Sequence, residues 1–324
     1  MILKVFKPFF YLFLLLFLPL LLSNYLLSLS EGLGFWDRLL RVFLLALLTS
    51  LILSLVLIFY FTDLSEPLAN FRRLNRFESL SHPLLVKLSL EAPGTYQHSL
   101  NVATLAYKAA KGIGANALLA RIGAYYHDIG KLKNPSFFIE NQNGQNIHDQ
   151  ILPKESAKTI IDHVLYGDNL AKEFHLPEEI RAFIREHQGA GLLDYFYKKA
   201  QKLQEEGVLQ EVKEADFYYP GPKPQSKETA IVLLADAVEA KARSLEEVNP
   251  ESLEKLLEET FQEKKASSQL SESSLSEREL VKIKKIFLNT LLSIYHKRIA
   301  YQKLPLSRPV KLKAKKNEIE DFGL

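Results

Sequence analysis

Within Ala124-Tyr125-Tyr126-His127-Asp128-Ile129-Gly130-Lys131 an imidazole and a carboxylate stand side by side, followed by a glycine and a cation. A His-Asp pair can hold a metal ion, but alone it is a weak sign. The placement of three more histidines strengthens it. Residues 95–113 carry a helical period, with Thr95 as the expected cap and Leu100, Ala103, Leu105, Ala106 and Ala110 apolar. Gly112, Gly114 and Asn116 then make a turn, and a second helix is expected over 117–129. His98 lies about as far before that turn as His127 lies after it. At ~1.5 Å rise per residue in both arms, an antiparallel pair brings the two rings to one level. The same arithmetic repeats downstream, with His163 in a helix expected over 155–174 and His187 in one over 178–188. His175-Leu176-Pro177 is the turn midway between them.

Asp236 is the sixth candidate. It interrupts the apolar helical run Ala230-Ile231-Val232-Leu233-Leu234-Ala235. A buried carboxylate without a partner is unfavourable, so a partner is expected; a salt bridge or an exposed position is the plainer alternative. Together these side chains form a nitrogen and oxygen set without sulfur, suited to Mn, Fe, Zn, Co or Ni better than to Mg or Ca alone. Six ligands exceed one closed tetrahedral site. They suit two ions ~3.5–4 Å apart, bridged by Asp128, with open positions for water and phosphate oxygens.

His98, His127-Asp128, His163, His187 and Asp236 resemble the metal set of HD-domain phosphohydrolases. The resemblance is closer to the seven-transmembrane HD receptors, whose HD domain is similar to cyclic di-AMP phosphodiesterase. It is carried by Ala92-Pro93-Gly94-Thr95-Tyr96-Gln97-His98, the His127-Asp128 stretch, Phe138-Ile139-Glu140-Asn141-Gln142, Asp194-Tyr195-Phe196-Tyr197, Tyr219-Pro220-Gly221-Pro222-Lys223-Pro224 and Ile294-Tyr295-His296-Lys297-Arg298. It implies an all-α HD-domain helical bundle. It also implies two divalent transition-metal ions, Mn or Fe first, with His98, His127 and Asp236 on one, His163 and His187 on the other, and Asp128 between them. Three departures stand out. Members of the family carry a large extracytoplasmic domain and seven spans, whereas this sequence offers two. Gln97 and Gln188 stand where relatives often have a second histidine, and Gly189-Ala190-Gly191 replaces a Gly-Thr-Thr-like stretch.

The rest of the chain must position these residues. Residues 9–30 and 42–62 contain no charged residue, and each is long enough to cross the hydrocarbon core, for which ~20 apolar residues suffice. A signal peptide is the rival reading of the first, but its apolar run is long and no small-residue cleavage site comes after it. Lys4 and Lys7 precede the first run and Arg72, Arg73 and Arg76 follow the second, so both ends read as cytoplasmic. The expected order is a membrane anchor of two transmembrane helices (1–65), a juxtamembrane linker helix (66–82), the HD domain (83–302) and a basic flexible tail (303–324). Leu68, Phe71, Leu74 and Phe77 recur at helical spacing in the linker, which could lie on anionic lipid or pack on the domain. Residues 134–153 read as a polar loop over the site. Its His148 and Asp149 are expected to stabilise the loop rather than bind metal. His82, His175 and His296 match no partner in height and read as non-ligands. Helical aromatics such as Tyr195, Phe196 and Tyr197 are more often core than base-stacking. The absence of cysteine excludes disulfides and thiolate ligands, and a net charge of +3 gives no sign of a nucleic-acid polymer as partner.

The expected function is that of a metal-dependent phosphodiesterase of the inner membrane, multi-pass, with its catalytic domain in the cytoplasm. The family resemblance points to a cyclic dinucleotide, cyclic di-AMP, opened to 5′-pApA by in-line attack of water. Asp128 would join the ions, and Lys131 would reach a phosphate oxygen. Other nucleotide phosphohydrolases, including those for cyclic di-GMP, are the alternative. Against them, His187 leads into Gln188-Gly189-Ala190-Gly191, not into the Gly-Tyr-Pro element of the cyclic di-GMP subfamily. A catalytically silent nucleotide-binding receptor is the rival of another class. Membrane lipid is an expected contact, and a homodimer or an external sensor subunit is compatible with the sequence.

Overall fold

The computed structural model describes residues 32, 34–142, 144 and 146–295, and within its first helix the side chains at 38, 42, 45, 46 and 56–73 fall outside that description. Among the described residues there are ten α-helices, several short 3-10 turns and one isolated antiparallel bridge between Leu192 and Tyr218, with no sheet. The helices are α1 (Phe35–Glu78), α2 (Pro83–Glu91), α3 (Pro93–Ile113), α4 (Ala117–Tyr126), α5 (Pro153–Glu173), α6 (Glu178–Glu186), α7 (Asp194–Glu205), α8 (Lys227–Arg243), α9 (Pro250–Ala266) and α10 (Glu277–Ile294). The expected span at 9–30, the flanking Lys4 and Lys7, His296 and the tail at 303–324 lie outside the described residues. The run 42–62 lies within α1. Among the described residues no helix is long and apolar enough to cross a membrane.

Three apolar clusters hold the bundle, the smallest packing α7 on α5 through Ala157, Phe196 and Ala200. The largest joins α3, α4, α8, α9 and α10 through Val102, Leu105, Leu234, Leu257 and Phe287, all fully buried. The second joins α2, α4, α5 and α6 through Leu84, Leu88, Ile122, Ile180 and Ile184, and takes in Leu74 and Phe77 from the end of α1. That end of the linker therefore packs on the domain. Each such side chain contributes about 1.5–3 kcal/mol by leaving water.

Both expected hairpins form. Pro93 opens α3 at its first turn, with Ala92 as cap rather than Thr95, because a proline lacks only the amide that a first turn leaves unused. Gly114 ends α3 in the left-handed conformation at φ 77°, and the Asn116 side chain accepts from Leu119 N to start α4. Small residues line the contact: Ala103, Ala106, Ala110, Ala120 and Ala124 are buried there. On its other face α4 meets α6, where a Cβ on Gly123 would stand 2.3 Å from the Phe183 ring. In the second hairpin His175 takes φ 55° at the end of α5, and its amide bonds to the Lys172 carbonyl at 3.0 Å.

Asp168 ties the two arms of that second hairpin. It accepts from Arg181 Nε at 2.8 Å and Nη2 at 3.0 Å, and from Arg185 Nη1 at 3.0 Å. Lys172 Nζ lies 2.8 Å away. Burial works against its charge, but the bonds from Arg181 and Lys172 prevail and hold the carboxyl at about 2, below the ordinary 3.8. Its stabilising effect is thus complete above 3.8 and is lost as pH falls through about 2. Asp168→Asn is expected to lower unfolding stability at pH 7 by about 1–2 kcal/mol, the pair being only partly shielded from water. In denaturant titrations the gap between the two proteins should close between pH 4 and pH 2; a gap unchanged across that range would refute the role given to the carboxylate.

Candidate metal centre

His98 is carried by α3, His127 ends α4, Asp128 follows it, His163 projects from α5, His187 ends α6 and Asp236 comes from α8. All six are buried and meet at one place. The paired rings lie level, as the matched arms require: centroids are 5.4 Å apart for His98 and His127 and 5.2 Å for His163 and His187. A Cβ on Gly130 would stand 1.8 Å from the His163 carbonyl oxygen. Only a residue without a side chain lets the turn Ile129–Lys133 press onto α5, and that contact joins the two hairpins.

The six residues divide about Asp128. Its Oδ2 lies 3.3 Å from His127 Nε2 and 3.6 Å from His98 Nε2. Asp236 Oδ1 completes this side, 2.9 Å from His98 Nε2 and 3.8 Å from His127 Nε2. On the other side Asp128 Oδ1 lies 3.4 Å from His163 Nε2 and 3.5 Å from His187 Nε2. Two groups able to hold a metal ion result, namely His98, His127, Asp128 and Asp236, and Asp128, His163 and His187.

Every imidazole turns Nε2 inward. His127 Nδ1 donates to the Ala124 carbonyl at 2.7 Å, His163 Nδ1 to that of Ile160 and His187 Nδ1 to that of Ile184 at 2.9 Å. His98 Nδ1 donates to the Glu239 carboxylate. With the proton on Nδ1, each Nε2 offers a lone pair. His127 Nε2 and Asp128 Oδ1 are buried without a hydrogen bond, and Asp128 Oδ2 has the Lys131 ammonium beside it. Such orphaned groups are rare and call for a partner, and a divalent cation among these donors supplies it.

Burial works against charge on Asp128 and Asp236. Lys131 and His127 nevertheless hold the first well below the usual carboxylate range, and His127 and His98 do so for the second. Burial also opposes protonation of His127, but Asp128 beside it prevails and raises it to about 10, so a cation bound there would have to displace a proton from Nε2. On the other side burial, reinforced by neighbouring His187, pushes His163 down to about 3. Lys131 Nζ lies 2.6 Å from Asp128 Oδ2 and 2.7 Å from Glu140 Oε1, and 4.9 Å from the centre of the Phe138 ring.

Residues 134–153 run through three short 3-10 turns, Pro135–Phe137, Ile139–Asn141 and Ile147–Asp149. Glu140 and Asn141 lock them to α3, since Glu140 accepts from Thr95 Oγ1 at 3.0 Å and Asn141 Oδ1 from Gly94 N at 2.9 Å. His148 lies outside both metal groups. Its Nε2 donates to the Phe137 carbonyl at 2.7 Å and its ring packs on Phe196. His82 caps α2 and His175 is exposed in its turn. Phe196 is buried, whereas Tyr195 is 61% exposed and lines a cavity of about 460 Å³ with Phe137, Phe138, Ile139, Ile160 and Phe196. Gln97 bonds only to Asn101 at the surface, whereas Gln188 Nε2 donates to Asp236 Oδ2 at 2.8 Å. Glu140, Gln188 and Glu239 were not singled out for these roles by the sequence. Glu239 left a signal there, a second carboxylate one turn beyond Asp236 at the end of the apolar run of α8.

The family model for the HD domain matches residues 95–241. Two curated relatives called cyclic-di-AMP phosphodiesterase PgpH, from Bacillus subtilis (strain 168) and Listeria monocytogenes serotype 1/2a (strain 10403S), are 45% and 41% identical over 230 residues. Each match covers 71% of this chain but 32% and 31% of the relative, so the chain spans about a third of the length of the curated relatives it matches. The crystal structure of the L. monocytogenes PgpH HD domain is similar with a TM-score of 0.63 at 41% identity, covering 67% of this chain and 100% of that one. The same domain in complex with cyclic-di-AMP gives 0.63 at 42% identity, covering 68% and 100%.

Proposed function

Because the chain belongs to the HD-domain family, we propose that it is a metal-dependent phosphodiesterase that opens cyclic di-AMP to the linear dinucleotide 5′-pApA. The observation that carries the reading is the division of six buried ligands into two groups sharing Asp128. His98, His127 and Asp236 would hold one divalent transition-metal ion, Mn or Fe first, and His163 and His187 the other. Bound there, the ions would acidify a water and offset the charge that develops on phosphate. The chain's own part is positional. Four backbone or carboxylate acceptors fix the imidazoles, and Lys131 brings a third positive charge to the phosphate side. No side-chain nucleophile is needed. The aromatic and aliphatic cavity that starts at Phe138, whose ring is 5.6 Å from that of His163, fits a purine base. The relatives called cyclic-di-AMP phosphodiesterase, and the complex of one with cyclic-di-AMP, support this choice of substrate.

The catalytic domain would face the cytoplasm on a membrane anchor. Support comes from the uncharged runs at 9–30 and 42–62 with their flanking basic residues. The exposure of Leu39, Leu40, Phe43, Leu44, Leu47 and Leu51 on α1 agrees with it, since soluble proteins rarely present so continuous an apolar surface to water.

Turnover decides the matter. The full chain in detergent, stripped of metal and reloaded with Mn²⁺, should convert labelled cyclic di-AMP to 5′-pApA and leave cyclic di-GMP at least ~10-fold behind, a difference of about 1.4 kcal/mol in transition-state binding. Tight binding of the nucleotide without hydrolysis under any transition metal would make the protein a receptor instead.

A further inference from the structure

The two halves of the centre are not supported alike. His127, His163 and His187 each send Nδ1–H to a carbonyl of their own helical turn. His98 alone sends it to a carboxylate, that of Glu239, which lies 141 residues away in sequence. Glu239 is 1% exposed and held at both oxygens, with Asn101 Nδ2 donating to Oε1 at 3.0 Å and Arg243 Nη2 to Oε2 at 2.7 Å. Arg243 Nη2 also stands 3.0 Å from His98 Nδ1. Were Nδ1 to accept from that guanidinium, its lone pair would face the Glu239 carboxylate at hydrogen-bonding range, which is repulsive, so Nδ1 keeps its proton; at Nε2, 2.9 Å from Asp236 Oδ1, a bound cation would take the place of a second proton. On the same side, the second carboxylate oxygen of Asp236, Oδ2, accepts from Gln188 Nε2 at 2.8 Å.

The charges are unequal too. Asp128 and Asp236 belong to the His98 side, and Glu239 stands directly behind it. The opposite side shares Asp128 but has no carboxylate of its own among its ligands. A carboxylate behind an imidazole fixes its tautomer and raises its basicity toward a metal, and removing such a partner typically costs 10–100-fold in metal affinity. Arg243 offsets part of the negative charge, but its side chain is 37% exposed and its field is weakened by solvent.

We propose that Glu239 is a positioning residue that makes the His98 side the tighter of two metal positions, with the His163 and His187 side binding second. This rests on the two-ion reading of the same centre. In the wild type the tighter ion would stay with the protein and the second would exchange with the free pool, so that the metal supply would govern how much of the protein is fully loaded.

The test is metal binding itself. The full chain in detergent, stripped by chelator, is dialysed against graded Mn²⁺ and the bound metal counted. Two steps separated by at least ~10-fold are expected. Glu239→Gln keeps an acceptor for Nδ1–H but removes the charge, and should weaken the tighter step by ~10-fold while leaving the weaker within ~2-fold. His187→Gln should abolish the weaker step alone, and His98→Gln the tighter. A tighter step left within ~2-fold by Glu239→Gln, or both steps moved equally, would overturn the role of Glu239 while leaving two ions in place. If circular dichroism shows Glu239→Gln unfolded, the histidine pair still decides, because a tight step that survives His98→Gln overturns the assignment. A wild type that takes up one ion only removes the two-ion reading, and this proposal with it.

Discussion

An Asp128→Ala chain is expected to lose hydrolysis of cyclic di-AMP by ~10⁴-fold or more, about 5 kcal/mol of barrier, and to lose two-ion occupancy with it. Asp128 is the one residue common to both candidate groups, with Oδ2 toward His98 and His127 and Oδ1 toward His163 and His187. No neighbouring carboxylate can take over both contacts, because Asp236 faces the His98 side only. Replacing a ligand of one side alone leaves the other group intact, so metal loss should be smaller for His163 than for Asp128. Metal analysis by mass spectrometry, run beside the turnover assay, reads both effects. Full two-ion occupancy in Asp128→Ala would refute the bridging role, whatever happened to activity. Asp128→Asn serves as the isosteric control, since it keeps the volume beside the half-buried Lys131 and removes only the charge.

Lys131→Met should reduce kcat by ~10²–10³-fold, the usual loss when one donor to developing charge is removed, while both metals stay bound. The ammonium has three donors. Asp128 and Glu140 engage it from two directions, and a third donor can meet a phosphate oxygen. Burial disfavours its charge, but Asp128 and Glu140 outweigh burial and keep it protonated across the physiological range. Methionine keeps the length and loses the charge. Steady-state kinetics should place the loss mainly in kcat, because a contact that strengthens as charge develops acts on the transition state more than on the bound substrate. A loss below ~5-fold would leave Lys131 as a counterion for Asp128 only. A loss that tracked metal content would make it a support for the centre rather than a group that meets substrate.

Much of this was legible in the chain alone. Apolar spacing marked α3 to α6, and Gly114, Asn116 and Pro177 marked the turns between them. Constant helical rise then set His98 level with His127 and His163 level with His187. Those are local rules, in which each residue's place is set by neighbours within a few turns; they reach the four histidines and, beside His127, Asp128, whereas Asp236 was marked only by a carboxylate inside an apolar run. Helix ends were less secure: Thr95 reads as a cap by residue type, yet Pro93 moves the start of α3 back to Ala92. His148 reads from its unmatched height as a loop-stabilising residue, and it is one, but the sequence could not name its partners, the Phe137 carbonyl and the Phe196 ring.

What the tertiary structure alone decided is how the ligands are held and which way they face. Glu239 meets His98 across 141 residues, Gln188 meets Asp236 across 48, and Gly130 lets its turn reach the His163 carbonyl. No periodicity encodes such pairs, because they depend on how α8 crosses α3 and how closely one hairpin approaches the other. Helical rise places a histidine at a height. Whether its Nε2 lone pair faces a metal depends on what accepts from Nδ1, and for His98 that acceptor is brought only by packing.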